Sequence, residues 1–211
     1  MDASKVEQGS DAWFAARTAK VSASRVSDVM AKTKSGYGAG RANYMSELLV
    51  DRLTGQKTQG FQSAAMTWGI ETEERARAAY EFHYDQKVDQ VGFIEHPTIP
   101  MFGASPDGLI GDDGGWEAKC PNTATHVSTL LTGKIPEKYI LQMQVGMACT
   151  GRKWWDYVSF DDRLPPEHEM WVHRVERDDE KIAELEAEVV KFLGELDEMV
   201  STLNKRIKNN V

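Results

Sequence analysis

The stretch from Met101 to Cys120 constrains the fold most, because Gly111-Asp112-Asp113-Gly114 separates two apolar runs and reads as a β-hairpin turn. Strand side chains alternate between faces, so Glu117 and Lys119, two apart, share one. With Asp112-Asp113-Gly114 as a three-residue loop and Gly114 in the left-handed bulge position, Gly111 pairs with Gly115. That register sets Asp107 opposite Lys119 and on the same face as Glu117, with directly opposed Cβ atoms about 4.5–5.5 Å apart. A four-residue loop would break this register, and Pro106 makes the strand start irregular.

A lone hairpin is marginal in water, so the flanking sequence has to supply cover. Ser10 or Asp11 caps a short helix carrying Trp13, Phe14 and Ala15, and Ser22 caps another over about Ala23–Ala31. The glycine-rich Lys34–Gly40 segment reads as a mobile loop. Tyr44, Leu48, Leu49 and Leu53 recur at helical spacing up to a stop at Gly55, and a longer helix follows over about Ala65–Tyr84. Val88, Val91, Phe93 and the turn prolines Pro97 and Pro100 indicate short strands, continued by strands over Met101–Ile110 and Gly115–Cys120. Helices return at about Thr123–Leu131 and Glu137–Cys149, and aromatic and β-branched strands at Lys153–Phe160 and Met170–Val175. A long amphipathic acidic helix closes the chain over about 178–205, with Ile182, Leu185, Val189, Phe192, Leu196, Met199 and Leu203 at three- and four-residue steps. This order predicts an α/β fold: a single domain over residues 1–211 with a mixed central β-sheet flanked by helices.

Net charge is −8, which looks unfavourable for a nucleic-acid partner until its distribution is read. Residues 178–198 carry nine acids against Lys181 and Lys191, a local −7 that leaves −1 for the rest. Between Arg17 and Arg41, six bases (Arg17, Lys20, Arg25, Lys32, Lys34, Arg41) face only Asp28. A basic stretch of this kind can contact phosphates while an acidic helix points elsewhere, since exposed charges are screened beyond roughly 8–10 Å; a solvated surface explains the charges equally well. Cys120 and Cys149 form neither a disulfide framework nor a C-x-x-C metal spacing. No apolar run approaches the roughly 20 residues of a membrane span, and Asp2, Lys5, Glu7 and Asp11 interrupt any secretory pattern. A cytoplasmic location with no membrane association is expected.

Two carboxylates and one ammonium in a small volume have a defined chemistry. Close carboxylates repel unless a cation lies between them. Oxygen donors at this spacing suit Mg²⁺, with Mn²⁺ as a substitute, and a backbone carbonyl such as that of Ala118 completes the set. Magnesium keeps several waters, one of which serves as nucleophile on a phosphodiester, while Lys119 orients or helps deprotonate it and offsets phosphate charge. Without further context the same residues read as a turn at Asp107-Gly108 and a solvated strand face.

The context is specific. Ala104-Ser105-Pro106-Asp107-Gly108-Leu109 and Glu117-Ala118-Lys119-Cys120-Pro121 resemble the active-site hairpin of the lambda exonuclease and YqaJ-type viral recombinase family, within the PD-(D/E)xK nuclease superfamily. Further blocks lie in family order: Val6-Glu7-Gln8-Gly9 with Asp11-Ala12-Trp13, Val21-Ser22-Ala23-Ser24, Trp68-Gly69 followed by Glu73, and Gln142-Met143-Gln144. The Lys32–Gly40 and Gln56–Ser63 segments match poorly. The resemblance implies a PD-(D/E)xK fold and Mg²⁺-dependent 5′-to-3′ degradation of one strand of linear double-stranded DNA, leaving 3′ tails for recombination. It implies metal binding by Asp107, Glu117 and the Ala118 carbonyl, and places Glu73, Lys119 and Gln142 in the catalytic group. Arg17, Ser24 and Ser105 match positions that hold the terminal 5′-phosphate, and the helix start near Ser22–Ser24 offers free N–H groups for it. Trp13 is expected in the core or stacking on a base. A homotrimeric ring around DNA, with the acidic helix facing outward, and a single-strand annealing partner follow from the same likeness. An endonuclease on the same core and a non-catalytic DNA-binding subunit remain the alternatives.

Overall fold

In the computed structural model, which describes residues 2–57 and 64–209, the hairpin forms with a different register. Ile110 pairs with Gly114, Leu109 with Gly115 and Gly108 with Trp116. The turn is Gly111-Asp112-Asp113, and Gly111, at φ +50°, takes the left-handed position expected of Gly114. The pairing has slid by two residues, so Asp107 continues toward Glu117, not Lys119. A slide of two preserves every face, whereas a slide of one inverts them, and the shared face therefore survives the correction.

The helices and strands in chain order are α1 (Asp11–Arg17), β1 (Val21–Ser22), α2 (Val26–Val29), β2 (Lys32–Thr33), β3 (Gly36–Tyr37), α3 (Ala39–Thr54) and α4 (Ala64–Tyr84). There follow β4 (Val88–Asp89), β5 (Ile94–Glu95), β6 (Phe102–Ala104), β7 (Gly108–Ile110), β8 (Gly114–Lys119), α5 (Thr123–Thr132), α6 (Glu137–Thr150), β9 (Trp154–Phe160), β10 (Met170–Glu176) and α7 (Asp179–Asn209). The central sheet has the order β10-β9-β8-β7-β4, with β8 and β9 parallel and the other pairs antiparallel. A smaller sheet, β1-β6-β5, joins parallel β1 to antiparallel β5 through β6. This is the expected mixed α/β architecture.

Ala76 and Tyr80 of α4 cover one face of the central sheet, against Trp116, Ala118, Val158 and Phe160. Met143 and Met147 of α6, with Ile182 of α7, cover the other against Trp155 and Tyr157. A third cluster joins α2, α3 and α7 (Val29, Leu48, Phe192, Leu196) to Val21 and Phe102 of the small sheet. Each fully buried side chain of this size contributes about 1.5–3 kcal/mol. Gly114 and Gly115 lie beside Trp154 and Trp155 in the parallel pairing, and a Cβ on either would stand 2.2 Å from its indole partner.

Three local expectations need correction. The run Met101–Ile110 is not one strand: it breaks at Ser105-Pro106-Asp107, where the chain leaves the small sheet for the central one. The Lys34–Gly40 segment is not an open loop but closes the β2–β3 hairpin and starts α3. The helix expected over Ala23–Ala31 is a 3₁₀ turn, Ala23–Arg25, followed by the four-residue α2, and Ser22 makes no side-chain cap. Of the poorly matching Gln56–Ser63 segment, residues 58–63 lie outside the described residues. No helix among the described residues is long and apolar enough to cross a membrane.

Candidate active site

The break between β6 and β7 builds the site. Pro106 has no N–H for a ladder, and its carbonyl accepts from Gln8 Nε2 at 2.7 Å, while the same amide donates to Val91 O at 2.8 Å. The next residue, Asp107, is thereby aimed across the hairpin, where its Oδ2 accepts from Ala118 N at 2.9 Å. Glu117 and Lys119 emerge from β8 on the same side; Lys119 Nζ hydrogen-bonds Glu117 Oε1, lies 3.1 Å from Ala118 O and 3.8 Å from Asp107 Oδ2. From α6, Gln142 Nε2 donates to Glu117 Oε1 at 2.5 Å.

Glu73 approaches from α4, whereas Glu71 and Glu74 on its other faces are exposed. Burial and the neighbouring Asp107 push its carboxyl up to about 8. Burial and Asp107 likewise push Glu117 up to about 7. Asp107 is raised by burial, opposed by Lys119 and the Ala118 N–H. Burial works against the charge of Lys119, but Glu117 and Asp107 outweigh it and hold the ammonium protonated. Three acids thus share one ammonium, an excess of negative charge in a poorly solvated place.

These groups form the floor of a cleft of about 530 Å³ whose walls include Arg17, Ser24, Ser105, Lys138 and Tyr139. All nine expected site residues, Arg17, Ser24, Glu73, Ser105, Asp107, Glu117, Ala118, Lys119 and Gln142, line it. Trp13 belongs to its wall and not to a buried core cluster. Ser24 is exposed, with Ser22 Oγ 3.3 Å from its own. Its backbone belongs to the short 3₁₀ turn, so the helix-terminus argument for a phosphate there is weaker than expected. Gln144 leaves the site altogether: its amide donates to Glu176 O and accepts from Asp178 N, tying β10 to α7.

The donor set fits a hard divalent cation: the carboxylates of Asp107 and Glu117 and the Ala118 carbonyl are oxygen donors at one site, where acids outnumber the single ammonium of Lys119. Among the described residues no three His, Cys, Asp or Glu side chains form a ready-made cage. Magnesium does not require one, since it binds through one or two carboxylates and retains water.

Lys138 and Tyr139 escape the sequence reading, although they lie four and three residues before Gln142 and so share its helix face. The Tyr139 ring has Lys119 Nζ 5.3 Å and Lys138 Nζ 4.7 Å from its centroid.

Residues 12–153 match the YqaJ-like viral recombinase domain. Two solved structures of the alkaline exonuclease LHK-Exo from Laribacter hongkongensis, one in complex with dAMP, are 51% identical to the chain, with a TM-score of 0.90 over 96% of it and 100% of theirs. A phage-related exonuclease from Haemophilus somnus 129PT is 15% identical, with a TM-score of 0.69 over 87% of this chain and 96% of its own, a likeness of fold alone. No curated protein matches.

Proposed function

Because the chain belongs to the YqaJ-like viral recombinase family, we propose that it is an exonuclease that hydrolyses one strand of linear duplex DNA from the 5′ end, leaving a 3′ single-stranded tail for recombination. The observation that carries this reading is the convergence of Asp107, Glu117 and Lys119 on the floor of a cleft that Arg17 overlooks. Asp107, Glu117 and the Ala118 carbonyl would hold Mg²⁺, or Mn²⁺ in its place, which supplies an activated water and neutralises phosphate charge.

The chain's own residues divide the remaining work. Gln142 holds Glu117 in place, so its second oxygen keeps a fixed direction. Lys119, protonated between two carboxylates, offsets charge that builds on the phosphate and orients the attacking water. Glu73, of raised pKa beside Asp107, is placed to take up or return a proton at its carboxylate. Arg17, Ser24 and Ser105 receive the terminal 5′-phosphate and set the next linkage over the carboxylates.

As part of the same proposal the active form is a homotrimeric ring, which keeps a threaded duplex from diffusing away between cuts, and a single-strand annealing protein takes up the exposed tail. Light scattering should then give three times the 23.7 kDa of one chain. Digestion of linear duplexes bearing a 5′-phosphate or a 5′-hydroxyl, with Mg²⁺ or EDTA, tests the chemistry. The phosphorylated strand should shorten, only with metal. Cutting of covalently closed circles would instead identify an endonuclease.

A further inference from the structure

We infer that Trp13 is a positioning residue that orients Arg17 and Ser105 toward a phosphate, an inference that rests on the reading of those two residues as the 5′-phosphate subsite. Trp13 and Arg17 are one turn apart on α1, and the Arg17 guanidinium carbon sits 4.0 Å from the indole centroid. The same indole donates its Nε1–H to Ser105 Oγ at 3.0 Å, on the crossing between the two sheets. One rigid ring therefore links two cleft walls that are 92 residues apart in sequence.

Both contacts leave their partners prepared for an anion. A serine hydroxyl that accepts from the indole has its own hydrogen free to donate, and a phosphate oxygen is an acceptor without a competing donor. Arg17 forms no ion pair among the described residues, and its Nε is buried without a hydrogen-bond partner. Burial lowers its pKa, as expected where no carboxylate balances the charge. Stacking on Trp13 fixes the plane of the guanidinium, and with it the direction of its N–H fork. The face of Trp13 that Arg17 covers is not available to a base, and Phe14 meets the ring edge-on at a centroid distance of 5.0 Å. The ring is thus no part of a buried core cluster, and one of its faces is occupied by Arg17.

The readout is the ratio of hydrolysis rates on 5′-phosphate and 5′-hydroxyl duplexes, which a general loss of folding does not change. Trp13→Phe keeps a ring beneath Arg17 but removes the donor to Ser105, and should lower the ratio about three- to tenfold. Trp13→Leu removes both contacts and should bring the ratio, tenfold or more below wild type, close to that of Arg17→Ala. Adding Trp13→Leu to Arg17→Ala should then lower it little further, because the two act through one group. A wild-type ratio in Trp13→Leu and Trp13→Phe, even at reduced rates, overturns the inference while the phosphate subsite stands. Equal rates on both ends for wild type and Arg17→Ala alike overturn the subsite reading, and the inference with it.

Discussion

Lys119 sits where removal of one charge separates binding from turnover. Its ammonium bonds Glu117 and lies 3.8 Å from Asp107 Oδ2, yet it is not an oxygen donor for a cation. Lys119→Ala should therefore lower the single-turnover rate by about 10²–10³-fold or more, while duplex affinity measured by anisotropy changes little. A near-normal rate in that variant removes Lys119 from the mechanism. The acids beside it give a pH-dependent expectation whose sign follows from their raised values. A carboxyl whose folded pKa exceeds its unfolded one holds an extra proton in the native state, so stability falls as pH rises through the interval. For Glu117 and Glu73 that interval runs from their ordinary value of 4.5 to about 7 and about 8. Without metal, the melting temperature should fall from pH 6 to pH 8.5. Mg²⁺ or Mn²⁺, which needs these groups ionised, should raise it more at pH 8.5 than at pH 6. Equal metal shifts at the two values would exclude Glu117 as a ligand.

At the level of elements, what the sequence disclosed and what it hid follow from the range of the forces involved. Periodicity is local, so α4, α5, α6, β9 and β10 were legible within a residue or two, as was the end of α3, whose start at Ala39 lies five residues before the first apolar position read. The split of Met101–Ile110 was not, because Pro106 marks an irregularity without saying that the chain changes sheets there. Gly111 and Gly114 both satisfy a three-residue turn, and only pairing with β9 separates them. β9 sets Trp154 and Trp155 against Gly114 and Gly115, which requires both glycines inside the strand and leaves Gly111 for the turn. The cluster of Asp107, Glu117 and Lys119 was readable because its faces survive a two-residue slide; Tyr139 and Lys138 were not, because spacing from Gln142 gives their helix face but not that the cleft extends a turn along it. The glycine–tryptophan match can be probed directly. Gly115→Ala places a Cβ 2.2 Å from the Trp155 ring and should cost about 1–3 kcal/mol in urea unfolding, with a smaller loss in a Trp155→Leu background. Equal losses in both backgrounds would mean that the strand tolerates the extra methyl for other reasons.

Over the whole molecule, the charge pattern works differently from its linear reading. The basic stretch near the N-terminus is largely neutralised internally: Lys20 bonds Glu95, Arg25 bonds Asp28 and Glu47, Lys32 bonds Glu188, and Arg41 bonds Glu195. Three acids of α7, Glu188, Glu195 and Asp197, thus serve as counter-charges to Lys32 of the β2–β3 hairpin and to Arg41 and Arg52 of α3. Arg17 is the base of that stretch that turns to the cleft. Proximity in sequence shows the Arg25–Asp28 pair, three residues apart, but not the pairing of Arg41 with Glu195, 154 residues away. Burial decides which of these pairs matters. Arg41 is 3% exposed, covered by Tyr37 and Phe192, so loss of its carboxylate leaves a charge that water cannot reach. Glu195 is 38% exposed and partly screened, which places Glu195→Ala at about 1–3 kcal/mol, below the full cost of breaking a buried pair. On the same helix Glu184 pairs with half-exposed Lys181, and Glu184→Ala should stay within about 0.5 kcal/mol of wild type. Chemical denaturation of the two variants side by side compares them with helix and charge change held constant. Equal stabilities would show that α7 docks through its apolar stripe alone, with its acids as bystanders.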